Sequence, residues 1–316
     1  MQRRGFFKMA AAAGLASAAQ LTASGQNATQ TGIVNPVIER AAEGQPSKGK
    51  VFALITPHLD DGPIFAGGTV AKLLREGYTG YFIRVSNDEK DSYNMSLGET
   101  TLANEQDTAL VVKTAGMKKW YDLSYRNHGL DDISKMEIRV RMIFLFRLLK
   151  VDTVLSYDPW GHYEENPDHY VTAQAVEAAC WMAGDHLDFP EQFEVGLKAH
   201  AVSEKYYFAR GPQLVNRVVD IGPTIKQKVE IIRSCKNMIN NMVHGVNDEV
   251  AARGMKIPSM LPSDSQAAAD AFIQAAFVER DKAIGAKYGL DYAEEFHYIG
   301  PDKSLDDFIK KNAVPA

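Results

Sequence analysis

From Lys50 onward, short β-branched or apolar runs alternate with longer stretches in which apolar residues recur at helical spacing. That alternation predicts an α/β fold: a mainly parallel, twisted sheet flanked by helices. Strands are expected at 51–56, 80–86, 119–123 and 152–156, and helices near 64–76, 96–115, 134–150 and 168–183. Right-handed crossovers join them by default. The helix from 134 carries a start signal, with Ser134 as N-cap and Glu137 three residues on. After about Lys198 the pattern changes to two extended runs, 199–209 and 214–221, expected to pair as an antiparallel extension of the same domain. A helix over 223–243, another over 265–288 and a closing aromatic segment at 292–296 complete the chain. Nothing resembling a linker divides residues 48–316, which therefore read as a single domain.

The N-terminus follows a different pattern. Arg3 and Arg4 precede Phe6, Phe7 and Lys8, then an alanine-rich run leads to Ala16-Ser17-Ala18. A charged start, a short apolar stretch and a small-residue cleavage site resemble a twin-arginine export signal over residues 1–24. The run is too short to span a bilayer. Residues 25–47, rich in Ser, Gly, Gln, Asn and Thr, read as a linker. The expected location is outside the bacterial cytoplasm, periplasmic or extracellular, reached through the export machinery.

Composition adds limits. The 316 residues are 45% hydrophobic and 24% charged, enough apolar material for a sizeable core. A net charge of -5 without a polybasic run argues against a nucleic-acid partner. Residues 1–24 hold three cations and no anion, so the remainder is more acidic than that average. Two cysteines, Cys180 and Cys235, cannot form a disulfide framework.

Two predicted loops hold the chemistry, and both follow strands at the edge where open parallel sheets bind ligands. The first contains His58, Asp60 and Asp61; the second runs from Tyr157 to His169. His58 and Asp61, three apart on a turn, can face one point while Asp60 points elsewhere. Joined by His169, they make a two-nitrogen, one-oxygen set suited to Zn²⁺ with a position left open for water, and Asp60 is left to take a proton. An Asp pair ahead of a helix also has an ordinary explanation, N-capping.

Together these loops resemble a known family. His58-Leu59-Asp60-Asp61 is similar to the His-Pro-Asp-Asp motif, and Asn166-Pro167-Asp168-His169 to the His-Pro-Asp-His motif, of the PIG-L/LmbE-like zinc de-N-acetylases. The loops 85–90 and 125–130, the stretch 219–228 and the segment 289–296 also resemble that family. The resemblance implies a Rossmann-like, LmbE-like fold with one zinc or other divalent ion per chain, held by His58, Asp61 and His169. It implies Asp60 as general base and Asp168 as the carboxylate orienting an imidazole.

Three positions depart from the motifs: Leu59 replaces proline, Gly62 an acidic residue, and Asn166 a histidine. Asn166 can donate a hydrogen bond to a tetrahedral intermediate but cannot act as an acid at neutral pH. Protonation then falls to Asp60 or to a different imidazole, with His162 and His128 as the candidates, each with a plain alternative as a solvated or loop-capping residue. Trp160, Tyr163, Tyr157 and Tyr93 are candidate sugar-stacking aromatics, and Asn127 a further substrate contact.

The expected function is a secreted metal-dependent hydrolase that removes an N-acetyl or related acyl group from an amino-sugar-containing substrate, a small molecule or glycoconjugate. The alternatives are zinc-dependent hydrolysis of a non-sugar acylated small molecule, and a catalytically weak carbohydrate-binding relative. Oligomeric state does not follow from the sequence.

Overall fold

The structure is a computed structural model that describes residues 35–301 and 303–314. The expected export signal, 1–24, and the first part of the expected linker lie outside the described residues. In chain order the elements are β1 (Val37–Glu39), β2 (Val51–Thr56), α1 (Asp61–Arg75), β3 (Thr79–Ser86), α2 (Leu97–Ala115), β4 (Lys119–Tyr125), α3 (Lys135–Leu149), β5 (Thr153–Tyr157) and α4 (Pro167–Met182). There follow α5 (Glu191–Glu194), β6 (Glu204–Phe208), β7 (Arg217–Asp220), α6 (Ile225–Arg233), α7 (Lys236–Ala251), α8 (Gln266–Ile273), α9 (Glu279–Lys287), β8 (Ala293–Ile299) and α10 (Lys303–Asn312).

The strands form one eight-stranded sheet in the order β1-β7-β8-β6-β5-β2-β3-β4. β5, β2, β3 and β4 run parallel, as the alternating pattern predicted, and β6, expected in an antiparallel extension, also runs parallel to β5. Period-two alternation sends Ala53, Ile55, Ile83, Val85 and Val154 into a core against α3 and α4. Phe52, Leu54, Phe82 and Leu155, equally buried, point to the opposite side.

Four expectations are corrected. The runs 199–209 and 214–221 do not pair with each other. β8 inserts between β6 and β7 and is antiparallel to both, while β7 runs parallel to β1. The antiparallel part of the sheet is therefore supplied by the closing aromatic segment. Part of the expected linker, Val37–Glu39, is the edge strand β1, held where Glu39 accepts from Lys72 Nζ at 2.7 Å and from Arg217. The helix expected over 223–243 breaks after Arg233, because Asp107 of α2 accepts from Asn237 N at 2.8 Å and starts a new helix there. The helix expected over 265–288 is α8 and α9 joined through a π-turn at Gln274–Val278.

Ser134 does cap α3, accepting from Met136 N. Glu137 does not close a capping box but accepts from Tyr125 Oη at 2.8 Å. The late elements are tied to the sheet by a buried charge cluster. Lys228 of α6 pairs with Asp281 of α9 and, at 2.8 Å, with Glu294 of β8. Glu294 also accepts the backbone N–H groups of Gly68 and Thr69 in α1 at 2.9 and 2.8 Å. No helix among the described residues is long and apolar enough to cross a membrane.

Candidate metal and active site

Strand order reverses between β2 and β5: the chain moves from β2 outward through β3 and β4, then returns to the other side of β2. The loops that leave these two adjacent strands diverge and open a crevice at the carboxyl edge. α1 and α4 both begin at that crevice, so Asp61 and Asp168 sit in first turns, where the helix dipole favours a carboxylate.

His58 and Asp61 from the first loop meet His169 from the second. Nδ1 of His58 lies 3.1 Å from Nε2 of His169 and 3.3 Å from Oδ2 of Asp61, and His169 Nε2 lies 3.5 Å from Asp61 Oδ1. Donors bound tetrahedrally to one zinc at 2.0–2.1 Å stand about 3.3 Å apart. The spacing and the donor types thus fit a small divalent ion, and the residues are all buried.

Each imidazole is backed by a carboxylate on its other nitrogen. Asp168 Oδ2 lies 3.2 Å from His58 Nε2. It is held there by the backbone N–H groups of His128 at 2.6 Å and Leu130 at 3.1 Å. Glu164 Oε2 lies 3.1 Å from His169 Nδ1, and Arg210 Nε donates to the same oxygen at 3.0 Å. The fourth wall is Tyr157, which stacks on His169 with centroids 4.2 Å apart and donates to Asp61 Oδ1 at 2.7 Å.

Charges follow from these neighbours. Burial opposes a cationic His58, but Asp168 and Asp61 outweigh it and raise its pKa well above the ordinary imidazole value. Burial also works against the Asp61 carboxylate, yet His169 and His58 hold its pKa below the usual range. Burial opposes Glu164 ionisation too, but His169 and Arg210 bring it to about 2. Asp60 goes the other way: burial, then Asp61 and Asp91, push its carboxyl well above the usual range. Its side chain makes no cap hydrogen bond to α1, so the N-capping explanation does not account for it.

Around this centre, the departures from the motifs find structural reasons. Leu59 is fully buried and its N–H donates to Asp88 Oδ2 at 3.1 Å. Burial lifts Asp88 to about 7 against the opposing pull of Arg84. At Gly62 a Cβ would stand 2.6 Å from Leu54 Cδ2, so α1 and β2 approach too closely there for a side chain. Asn166 uses its Oδ1 to cap α4, accepting from Asp168 N at 3.0 Å.

Of the other expected residues, His128 lies at the rim, exposed, its ring centroid 6.1 Å from that of His58. His162 is exposed beside Tyr163, 6.2 Å away, and its backbone N–H donates to Pro212. Trp160 and Tyr163 are 52% and 86% exposed, open to a ligand. Three expected substrate contacts are corrected. Asn127 is fully buried and donates to Asp91. Tyr157 is a buried partner of Asp61 and His169. Tyr93 stacks on His244 with centroids 3.8 Å apart.

Glu164, Arg210, Asp88 and Asp91 were not singled out from the sequence. Two of them left a trace there: Glu164 is a carboxylate in the same loop five residues before His169, and Asp88 lies in the family-like loop 85–90. His58, Asp88 and Asp91 could also hold an ion by distance. However, Asp88 is already bonded to Arg84 and Leu59, and Asp91 to Asn127, so that trio is a hydrogen-bonded scaffold.

Comparison with known proteins agrees with this geometry. The family model described as PIG-L: GlcNAc-PI de-N-acetylase matches residues 53–180. Diacetylchitobiose deacetylase of Thermococcus kodakarensis is 25% identical over 189 residues, 58% of this chain and 68% of that protein. The structure of N,N'-diacetylchitobiose deacetylase from Pyrococcus horikoshii, complexed with its inhibitor MPG, superposes with a TM-score of 0.64. It is 22% identical, and the match covers 81% of this chain and 88% of that one. GalB, the 4-carboxy-2-hydroxymuconate hydratase of Pseudomonas putida KT2440, shares the fold with a TM-score of 0.57 at 16% identity, over 80% of this chain and 97% of its own. Residues 53–180, from within β2 to within α4 and including His58, Asp61 and His169, thus carry the sequence pattern described by the PIG-L: GlcNAc-PI de-N-acetylase model, and 81% of the chain shares the fold of the deacetylase structure.

Proposed function

We propose that this protein is a metal-dependent deacetylase, a hydrolase of amide bonds that removes an N-acetyl or related N-acyl group from an amino-sugar-containing substrate. One arrangement carries the reading: the Nδ1 of His58 and the Nε2 of His169 lie 3.1 Å apart, each within 3.5 Å of a carboxylate oxygen of Asp61, with a buried carboxylate, Asp60, beside them. A binding-only site has no need of that carboxylate. A divalent cation, zinc by the donor types, supplies Lewis acidity there, polarising the acyl carbonyl and making water a nucleophile at neutral pH.

The chain's own residues do the rest. Asp60, whose environment raises its pKa, takes the proton of the attacking water and returns it to the departing amine. We assign a share of that proton delivery to His128, whose ring centroid lies 6.1 Å from that of His58, since Asn166 cannot act as an acid and is engaged as a cap. Trp160 and Tyr163 offer exposed rings to a sugar. The match to the PIG-L family and the relatedness to a diacetylchitobiose deacetylase support an N-acetylated amino sugar as substrate. The Arg3-Arg4 start supports action outside the cytoplasm.

Protein purified without chelator should contain about one zinc or similar divalent ion per chain and release acetate from N,N'-diacetylchitobiose or related N-acetylated glycoconjugates. Chelation should abolish release and added zinc restore it. A chain that holds no metal, even after zinc is added, refutes the reading. Export is tested by fractionating cells that express the full chain with Arg3 and Arg4 intact or replaced by lysine. Retention of both forms in the cytoplasm refutes it.

A further inference from the structure

We infer that Glu164 and Arg210 are positioning residues for the metal ligand His169, so that the segment after β6 sets how tightly the site holds its ion. The inference rests on the metal-site reading above and goes beyond it, because neither residue belongs to the two motifs and neither contributes a donor atom to the trio.

The geometry has three parts. His169 presents Nε2 to His58 and Asp61, so its other nitrogen, Nδ1, must carry the proton when Nε2 binds a cation. That Nδ1 is buried, and no aligned hydrogen-bond acceptor serves it among the described residues. Glu164 Oε2 lies 3.1 Å from it, close enough for a hydrogen bond once the ring turns into line. The two groups are therefore a carboxylate–imidazole pair whose alignment a bound ion would complete.

Glu164 is itself fixed. Arg210 donates to both of its carboxylate oxygens, through Nε at 3.0 Å and through the second nitrogen of the fork. Such a bidentate clamp sets the orientation of the carboxylate plane as well as its position. Arg210 lies two residues beyond β6, whereas Glu164 and His169 follow β5. β5 and β6 are hydrogen-bonded neighbours in register from Thr153–Glu204 to Tyr157–Phe208. The sheet pairing thus delivers Arg210 to Glu164, and Glu164 to the ligand.

His58 is served differently. Its carboxylate, Asp168, is anchored by two backbone N–H groups within the same crevice. One imidazole is thus oriented by local backbone, and the other by a side-chain clamp from a strand outside the 53–180 match.

The test measures zinc affinity by competition with a chromophoric chelator, for the full chain and for Glu164→Ala, Glu164→Gln, Arg210→Ala and Arg210→Lys. Outer carboxylate partners of metal-binding histidines typically contribute 10- to 100-fold in affinity. Glu164→Ala and Arg210→Ala should therefore bind zinc about 10-fold or more weakly. Glu164→Gln, which keeps an acceptor oxygen, should lose less. Arg210→Lys should recover only part of the affinity, because lysine lacks the fork. Cobalt(II) in place of zinc should show a changed visible absorption band in both alanine variants. Metal-free melting temperatures separate a positioning role from a structural one. If the alanine variants melt lower without metal yet bind zinc within twofold of the unmodified chain, the clamp is structural only and the inference is overturned. If the unmodified chain binds no zinc, the metal-site reading fails and the inference with it.

Discussion

The backbone N–H of Leu59 donates to the buried carboxylate of Asp88 at 3.1 Å, at a motif position where the resembling family carries proline. A proline has no N–H to give. Asp88 is also held by Arg84, itself fully buried, so the loop that presents His58 and Asp60 is pinned from the end of β3. The departure at position 59 is therefore matched by a partner.

Replacing Leu59 by proline removes this bond and leaves both donor atoms of the neighbouring ligands in the sequence. The expected cost is about 1–3 kcal/mol of stability, the penalty for stranding one buried polar group. Chemical denaturation of Leu59→Pro measures it. Unchanged stability would show that Asp88 is satisfied by Arg84 and Ser86 without the amide.

Asp60→Asn should leave metal content near that of the unmodified chain, since Asp60 is outside the donor trio. Acetate release should fall by about 10²- to 10⁴-fold, the usual contribution of a general base. Persisting release would remove Asp60 from that role.

His128 and Asn166 separate by the readout each affects. His128→Ala should lower kcat by about 10²-fold with metal content retained, as expected for a proton donor. Asn166→Ala should lower stability by about 1 kcal/mol through loss of the α4 cap, and Asn166→Asp should restore that stability. A cap-neutral Asn166→Ala with a large fall in kcat would instead favour a role at the oxyanion.

Burial opposes ionisation of Glu39, but Lys72 and Arg217 prevail and hold its pKa below the free-carboxylate value. A depressed folded pKa means that the ionised form stabilises the fold above the unfolded value, and that this stability is lost as pH falls through the folded value. Glu39→Gln should thus melt below the unmodified chain at pH 7, with the gap narrowing as pH falls below the ordinary carboxylate value of 4.5. A gap independent of pH would assign the effect to packing of β1.

Lys228→Ala removes the ammonium shared by two buried carboxylates, leaving Asp281 with Arg280 and Glu294 with the N–H groups of Gly68 and Thr69. Losing one partner of a buried ion pair costs about 3–5 kcal/mol. Thermal or urea unfolding tests this. A loss under about 1 kcal/mol would show that the carboxylates take up protons or water instead.

Much of the central architecture is legible along the chain because local rules specify it. The parallel strands β2 to β5 and their helices follow from apolar periodicity, and Ser134 and Ser96 mark helix starts by side-chain hydrogen bonds to nearby backbone. His58, Asp61 and His169 are legible as well, because ligand chemistry restricts residue type and the strand ends restrict location.

What the tertiary structure alone decides are the relationships between distant segments. β8 separates β6 from β7 because long-range pairing fixes strand order, and spacing along the chain does not. Asn127 and Tyr157 lose their expected substrate roles because the fold buries them among Asp91, Asp61 and His169. Glu164 and Arg210 are ordinary surface-type charges in sequence, 46 residues apart. Only the pairing of β5 with β6 brings them together behind a histidine, where their charge acquires an orienting role.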